Sequence, residues 1–241
     1  MLQIKIFQVN PLGANCVVLW EDSAAPSAAD GSLPCAIVDP GFYRPDEEEM
    51  VLGFLRDHHL KVDAILLTHG HFDHTWSVAS VAKQCGCPVY MSAADEVTAR
   101  SGSDLLERLH LGKEVEPFDY EGIVDGQVLR VGGTPWQVIT TPGHSPGSVS
   151  YYCAESSVIL TGDTLFAGSI GRSDLEGGDY DTLMKSLLEK LLVLPGDTDV
   201  IPGHGHPTTI GREASSNPFL LPFNDPDTAW WNQDGIELDG Q

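Results

Sequence analysis

Three histidines and one aspartate lie within the seven residues of segment 68–74, which reads THGHFDH. The segment follows an apolar run, 62–67, that is typical of a buried strand. Residues two apart in an extended chain project to the same side, so His69 and His71 can face one point. A helix that begins near Asp73 would bring Asp73 and His74 back to that point. Imidazole and carboxylate groups are ligands of zinc, iron and manganese ions, so the segment predicts a metal site.

Four donors exceed what one catalytic ion takes while it keeps a position for water, and we therefore expect two ions. Three further donors lie in glycine-containing loops after strand-like apolar runs, namely His144, Asp163 and His204. Glycine lets the backbone turn sharply and approach an ion closely. Together these residues supply a third ligand for each ion and a carboxylate to bridge both. The alternative is that each is an ordinary polar residue in a turn, satisfied by hydrogen bonds.

This donor pattern resembles the metal signature of the metallo-β-lactamase superfamily, on 69–74 (HGHFDH) together with the three downstream donors. Segments 10–16 (NPLGANC), 161–166 (TGDTLF) and 171–174 (GRSD) resemble, more narrowly, its hydroxyacylglutathione hydrolase branch, also called glyoxalase II. The similarity is greatest to the short bacterial members and extends over about residues 1–220.

The resemblance implies an α/β fold, an αββα sandwich of two mixed β-sheets with flanking helices and the metals at one sheet edge. It implies two divalent transition-metal ions, with zinc as the first expectation and iron or manganese as alternatives. It assigns the first ion to His69, His71 and His144, the second to Asp73, His74 and His204, and the bridge to Asp163. The expected reaction is thioester hydrolysis by a hydroxide that bridges the ions. Asp73 could also orient this hydroxide or transfer a proton.

Arg172 is the expected substrate-binding residue. It follows Gly171 in the loop after Asp163, where the resemblance implies a Lys or Arg that meets a substrate carboxylate. A guanidinium binds a carboxylate through two parallel hydrogen bonds. The expected partner is thus a small anionic thioester or a related molecule. The alternative is a structural salt bridge from Arg172 to Asp174 or Asp179.

Other functions are compatible with the same residues. A persulfide dioxygenase of this superfamily uses a single iron held by two histidines and an aspartate, which would correspond here to His71 or His69, His144 and Asp163. Hydrolysis of lactones, β-lactams or other esters is a further alternative. A non-catalytic role in metal storage or partner binding would leave a complete catalytic donor set unused.

Composition and charge argue against some classes of partner. The 241 residues include 13 basic and 35 acidic side chains, and the formal net charge of −22 repels nucleic acids and anionic membrane surfaces. The N-terminus lacks an apolar signal core, and no apolar run reaches the length of a membrane span. Five scattered cysteines are typical of reduced thiols. We therefore expect a cytoplasmic enzyme without nucleic acid or membrane partners.

The chain is expected to form one hydrolase domain, 1–216, followed by a short acidic tail, 217–241, that is too small to be the separate helical glutathione-binding domain of longer hydrolases. Trp230 and Trp231 in this tail are expected to pack back on the domain. Apolar periodicity and turn residues predict several elements along the domain. Expected strands are 2–9, 15–20, 127–131, 135–141, 147–153 and 157–161, the last four joined as antiparallel hairpins, and expected helices are 45–58, one that ends near 85, 93–100, 105–109, 179–192 and 208–216.

Overall fold

The computed structural model describes residues 1–26, 31–100, 111–112 and 114–224 of the chain. The first six strands form one mixed sheet in chain order. The first three are antiparallel neighbours, and the third to the sixth are parallel. The strands are β1 (Leu2–Val9), β2 (Ala14–Glu21), β3 (Leu33–Val38), β4 (Leu60–Leu66), β5 (Val89–Met91) and β6 (Glu121–Gly122).

A second six-stranded sheet follows, with β7 (Val128–Val131), β8 (Thr134–Thr140), β9 (Val149–Cys153) and β10 (Val158–Gly162) as antiparallel neighbours. This arrangement confirms the predicted hairpins. A small separate hairpin then pairs β11 (Leu165–Phe166) with β12 (Ser169–Ile170). The second sheet is completed by β13 (Asp199–Pro202), parallel to β10, and by the edge strand β14 (Thr208–Thr209).

Helices lie outside the sheets. They are α1 (Pro45–Asp57), α2 (Phe72–Thr75), α3 (Val78–Cys85), α4 (Glu96–Arg100), α5 (Tyr180–Ser186), α6 (Ile210–Ser216) and α7 (Leu221–Asn224). Helix α1 matches its predicted span because Pro45 is suited to a first helical position and the buried Glu47 accepts hydrogen bonds from the N–H groups of Tyr43 and Arg44.

Three apolar clusters hold the layers together. The strand β2 illustrates the pattern, because its side chains alternate between two buried faces. Val17 and Leu19 pack in the cluster between the sheets, which also includes Trp136 and Tyr151 of the second sheet. Val18 belongs to the outer cluster beneath α1 and α3. A third cluster packs α5 and α6 on the outside of the second sheet. The result is the αββα sandwich that the sequence predicted.

Three predicted helices differ in the structure. The helix expected to end near residue 85 is interrupted, because the N–H of Ser77 donates to the carbonyl of Pro40 instead of continuing the helical ladder. The expected start of the last helix at Thr208 is wrong, because residues 208–209 pair with β13 and α6 begins at Ile210. The expected span 179–192 is helical, but it changes from α to π geometry at Leu187.

The chain continues past residue 216 in contact with the second sheet. Asn217 is buried and donates to the carbonyl of Ser169, and the buried Leu220 belongs to the cluster around α5. The predicted helix at 105–109 and the pair Trp230 and Trp231 lie outside the described residues. Among the residues that are described, no helix is both long enough and apolar enough to cross a membrane.

Candidate metal centre

Four segments at strand ends carry the predicted donors. The segment 68–74 follows β4, the loop of His144 precedes β9, and Asp163 and His204 follow the parallel strands β10 and β13. Because β10 and β13 are parallel neighbours, their carboxyl ends lie at one edge, and Asp163 and His204 emerge there side by side. The N–H of Val149 donates to the carbonyl of Thr68 over 2.8 Å, which ties the two sheets together at this edge.

The histidines and Asp73 form two compact groups of donor atoms. Within each group, the donor atoms lie within 4.8 Å of one another. The Nδ1 atom of His71 is 2.9 Å from Nε2 of His144, and Nε2 of His204 is 3.2 Å from Nε2 of His74. The first group is His69, His71 and His144, and the second group is Asp73, His74 and His204.

Asp163 lies between the two groups. Its Oδ2 atom is 3.6 Å from Nε2 of His144 in the first group and 3.6 Å from Nε2 of His204 in the second. Its Oδ1 atom is 3.5 Å from Nε2 of His74. The carboxylate therefore contacts members of both groups.

Hydrogen bonds on the outer side of the rings fix how three histidines face the centre. Nδ1 of His74 is 3.0 Å from a carboxylate oxygen of Asp39, and Nδ1 of His144 is 2.7 Å from the carbonyl of Arg172. Nδ1 of His69 is 3.0 Å from Oγ1 of Thr68, whose hydroxyl donates to Asp39. These acceptors hold a proton on Nδ1, so Nε2 is the nitrogen of each ring that can bind an ion once it carries no proton.

The donor atoms fit a bound cation. Nε2 of His69 and Oδ1 of Asp163 are buried and have no hydrogen-bond partner among the described residues. Buried polar atoms normally find a partner, so an imidazole nitrogen and a carboxylate oxygen without one suit a site that binds a cation. Nitrogen and carboxylate donors of this kind suit zinc, iron or manganese.

The two groups differ in their protonation. Burial, with the neighbouring imidazole of His144, lowers the pKa of His71 to about 3, and burial lowers the pKa of His69 well below its usual range. Although burial opposes it, the carboxylates of Asp73, Asp163 and Asp39 raise the pKa of His74 to about 10. Burial also opposes ionisation of Asp73, but His74 and His204 hold the pKa of Asp73 well below its usual range. His69 and His71 are thus neutral, whereas the second group carries protons that a cation must displace.

Asp39 is a functional residue that the sequence reasoning missed. It also lies near His69 and His74 as a possible ligand set. Both of its oxygens are already used, however, because Oδ1 accepts from the N–H of Thr68 and Oδ2 from the Thr68 hydroxyl and His74. It therefore orients ligands instead of binding an ion. Its position directly after β3 is the same strand-end signal that identified Asp163 and would have found it.

Arg172 reaches the centre through its backbone. Its carbonyl accepts from His144, as described above. Its guanidinium donates to both carboxylate oxygens of Asp174 at 2.8 Å each, and both side chains are exposed. Asp179, the other acid considered as a partner, instead accepts from the N–H of Thr182 at the start of α5. The backbone of Arg172 is thus beside the centre, and its side chain is paired with a neighbouring acid.

Comparison with known proteins agrees with this geometry. A family model described as the metallo-beta-lactamase superfamily matches residues 10–206. Hydroxyacylglutathione hydrolase GloC of Haemophilus influenzae is 34% identical over 222 residues, which cover 91% of this chain and 98% of that protein. The crystal structure of BLEG-1 B3 metallo-beta-lactamase has a TM-score of 0.79 and 36% identity, with 90% of this chain and 99% of that one covered. TTHA1623, crystallised in a di-iron-bound form, has a TM-score of 0.76 and 36% identity, with 90% and 100% covered.

Proposed function

Because the chain belongs to the metallo-β-lactamase superfamily, we propose that it is a binuclear metal-dependent hydrolase of thioesters. The observation that carries the proposal is the complete second group, Asp73, His74 and His204, placed beside the three-histidine group with Asp163 between them. A site for one ion would need only part of this set.

Each residue of the centre then has a role. His69, His71 and His144 would hold one ion, the second group would hold the other, and Asp163 would contact both. When bound, such an ion pair lowers the pKa of water and polarises the acyl oxygen that is attacked. Asp73 stays ionised in this surrounding, so its carboxylate can accept a hydrogen bond from the attacking water and orient it. No serine or cysteine nucleophile is required.

The substrate class rests on two observations. A relative with 34% identity is named hydroxyacylglutathione hydrolase, and Arg172, whose carbonyl binds His144, is one of only 13 basic residues in the chain. We therefore propose an anionic thioester, with Arg172 as the carboxylate anchor. Zinc is the expected metal. Iron is the alternative, because the similar protein TTHA1623 was crystallised in a di-iron-bound form.

The net charge and the free thiols support a proposal for the partners and the cellular compartment of the enzyme. A net charge of −22 disfavours contact with nucleic acid or anionic lipid. All five cysteines are free thiols, three of them buried. Free thiols persist in a reducing compartment, and we propose the cytoplasm.

Hydrolysis and persulfide oxidation differ in their need for oxygen. Metal-replete protein should cleave S-lactoylglutathione at the same rate under argon and in air, because water is the only co-substrate. His204→Ala should reduce this rate at least about 100-fold, since it removes a ligand of the second group. His206→Ala is the matched control, because this exposed histidine lies two residues away in the same loop and outside the donor groups.

A dioxygenase would give the opposite result. It would consume oxygen with glutathione persulfide, would leave the thioester intact, and would survive His204→Ala because its single iron needs only residues of the first group and Asp163. That outcome, recorded with an oxygen electrode, would overturn the proposed function.

A further inference from the structure

Asp95 is a buried carboxylate that does not belong to the donor groups but holds the loops that carry one of them. It lies in the short 3₁₀ turn Ala93–Asp95 directly before α4 and is fully buried. Its Oδ2 atom accepts from the N–H of Gly70 and from the hydroxyl of Ser145, both at 2.7 Å. Its Oδ1 atom accepts from the N–H of Gly147 at 2.5 Å.

These three donors come from two separate loops. Gly70 stands between His69 and His71 in the segment after β4, and Ser145 directly follows His144 in the loop before β9. A single carboxylate therefore spans the two loops that carry all three histidines of the first group. Hydrogen bonds to an ionised, buried acceptor are about twice as strong as neutral ones, so this connection is well suited to fix a distance.

The glycines show how closely Asp95 fits between the loops. A Cβ atom on Gly70 would lie 2.8 Å from the carbonyl oxygen of Asp95. A Cβ atom on Gly147 would lie 2.5 Å from the backbone nitrogen of Asp95 and 2.7 Å from its Cγ. Real Cβ atoms essentially never come so close to such atoms. Both loops therefore press directly against this residue, and glycine is required on each side.

We propose that Asp95 is a positioning residue that sets the spacing of His69 and His71 relative to His144, and with it the affinity of the first group for its ion. The inference rests on the proposed metal centre. Replacing one carboxylate oxygen by an amide NH2 group, as in Asp95→Asn, turns a donor towards buried N–H or O–H donors and leaves at least one of them unsatisfied. The loops would then separate or rotate, and the three imidazole nitrogens would no longer converge.

The second group has its own connection, which provides a matched control. The buried Asn15 donates from Nδ2 to the carbonyls of Pro202 and Gly205, at 2.9 and 3.0 Å. These two residues lie on either side of His204. Within the described residues, Asn15 makes no hydrogen bond to the two loops that Asp95 joins. Loss of the Asn15 side chain should therefore disturb the second group and spare the first.

Zinc affinity in two single-group backgrounds tests the inference without reference to catalysis. His204→Ala leaves the first group complete, and His71→Ala leaves the second complete. Competition with a chromogenic chelator should show that Asp95→Asn weakens zinc binding at least about tenfold in the His204→Ala background and less than about threefold in the His71→Ala background. Asn15→Ala should give the reverse pattern.

A milder variant guards against a failure to fold. Ser145→Ala removes only one of the three donors to Asp95, and it should cause a smaller loss of zinc affinity in the same background. Equal losses in both backgrounds, or no loss in either, would show that Asp95 serves only the fold and would overturn the inference. Absence of zinc binding in His204→Ala and His71→Ala before any further change is a different result, and it would overturn the proposed binuclear centre itself.

Discussion

The guanidinium of Arg172 makes two parallel hydrogen bonds to Asp174, the geometry in which it would also bind a substrate carboxylate. Both side chains are largely exposed, at 59% for Arg172 and 71% for Asp174. Exposed ion pairs contribute little to stability, because water and salt screen them. A substrate carboxylate can therefore replace Asp174 at small cost, and the observed pair is compatible with a binding role.

Replacement of Arg172 by alanine should raise KM for an anionic thioester by an amount worth roughly 1.5 to 3 kcal/mol, because a charge-assisted contact to the substrate is lost. The kcat should change less, and a neutral thioester should be barely affected. Asp174→Ala is the matched variant, because it frees the guanidinium and should leave KM for the anionic substrate unchanged or lower. Steady-state kinetics with the two substrates measures both effects.

A structural role would give another pattern. If Arg172→Ala lowers the melting temperature and shifts KM and kcat equally for charged and neutral thioesters, the side chain supports the loop after β12. The carboxylate anchor would then have to be another group.

The elements deliver the donors through loops that start directly at strand ends, and these loops must approach one another closely. The loop after β13 shows why. The N–H of Gly203 donates to the carbonyl of Gly162 over 2.7 Å. A Cβ atom on Gly203 would overlap Oδ1 of Asp163 and lie 3.0 Å from Cε1 of His74. Only a glycine leaves room for the carboxylate between the two groups.

Gly203→Ala should therefore push the loop of His204 away from Asp163. We expect hydrolysis to fall at least about tenfold and the free energy of unfolding to fall by about 1 to 3 kcal/mol, as is usual when a well-packed site is overfilled. Activity assays and denaturant unfolding measure these quantities. Gly205→Asn is the control in the same loop, because a Cβ atom there meets nothing within 4 Å and asparagine tolerates the φ of +76°. Similar losses in both variants would contradict a steric role for Gly203.

At the scale of the whole molecule, the centre connects the two sheets. His69 to His74 follow a strand of the first sheet, whereas His144, Asp163 and His204 adjoin strands of the second. An ion bound to either group contacts donors from both sheets. Because a ligand that binds only the folded state stabilises it, metal binding should raise the stability of the whole fold.

We expect the metal-free protein to bind close to two zinc ions per chain at pH 8, with a clear rise in melting temperature. The rise should shrink as the pH falls to 6, because protons compete with zinc for the imidazoles. His74 has a pKa raised from 6.5 to about 10, so without metal its contribution to stability is fully present below pH 6.5 and is lost as the pH rises through about 10. Low pH thus favours the protonated, metal-free state of His74.

Isothermal titration in buffers of different ionisation enthalpy should show proton release on zinc binding, and more release from His71→Ala, which keeps the second group, than from His204→Ala. Elemental analysis gives the stoichiometry. A single ion at saturation, with His204 replaceable without loss of metal, would contradict the binuclear centre.

The sequence by itself determined the superfamily and the layered fold, and both predictions are confirmed. It could do so because the donor types stand in short local segments whose resemblance to the superfamily implies the layered fold. The period of apolar residues by itself marks strands and helices and indicates only a mixture of the two. The four hairpin strands from 127 to 161 were found in this way. Helix ends were less certain, since the N–H of Ser77 and the strand at 208–209 take their partners from distant parts of the chain.

The resemblance implied which donors share an ion, but only the tertiary structure brings them together. The contacts of His71 with His144 and of His74 with His204 join residues 73 and 130 positions apart, and no local pattern encodes such a pairing. Arg172 pairs with Asp174, two residues away, while Asp179 accepts from Thr182, and the fold gave Asp39 and Asp95 their positions behind the donor groups. Asp39 carries the strand-end signal in the sequence, whereas Asp95 looks like an ordinary loop residue because its partners lie in two separate loops.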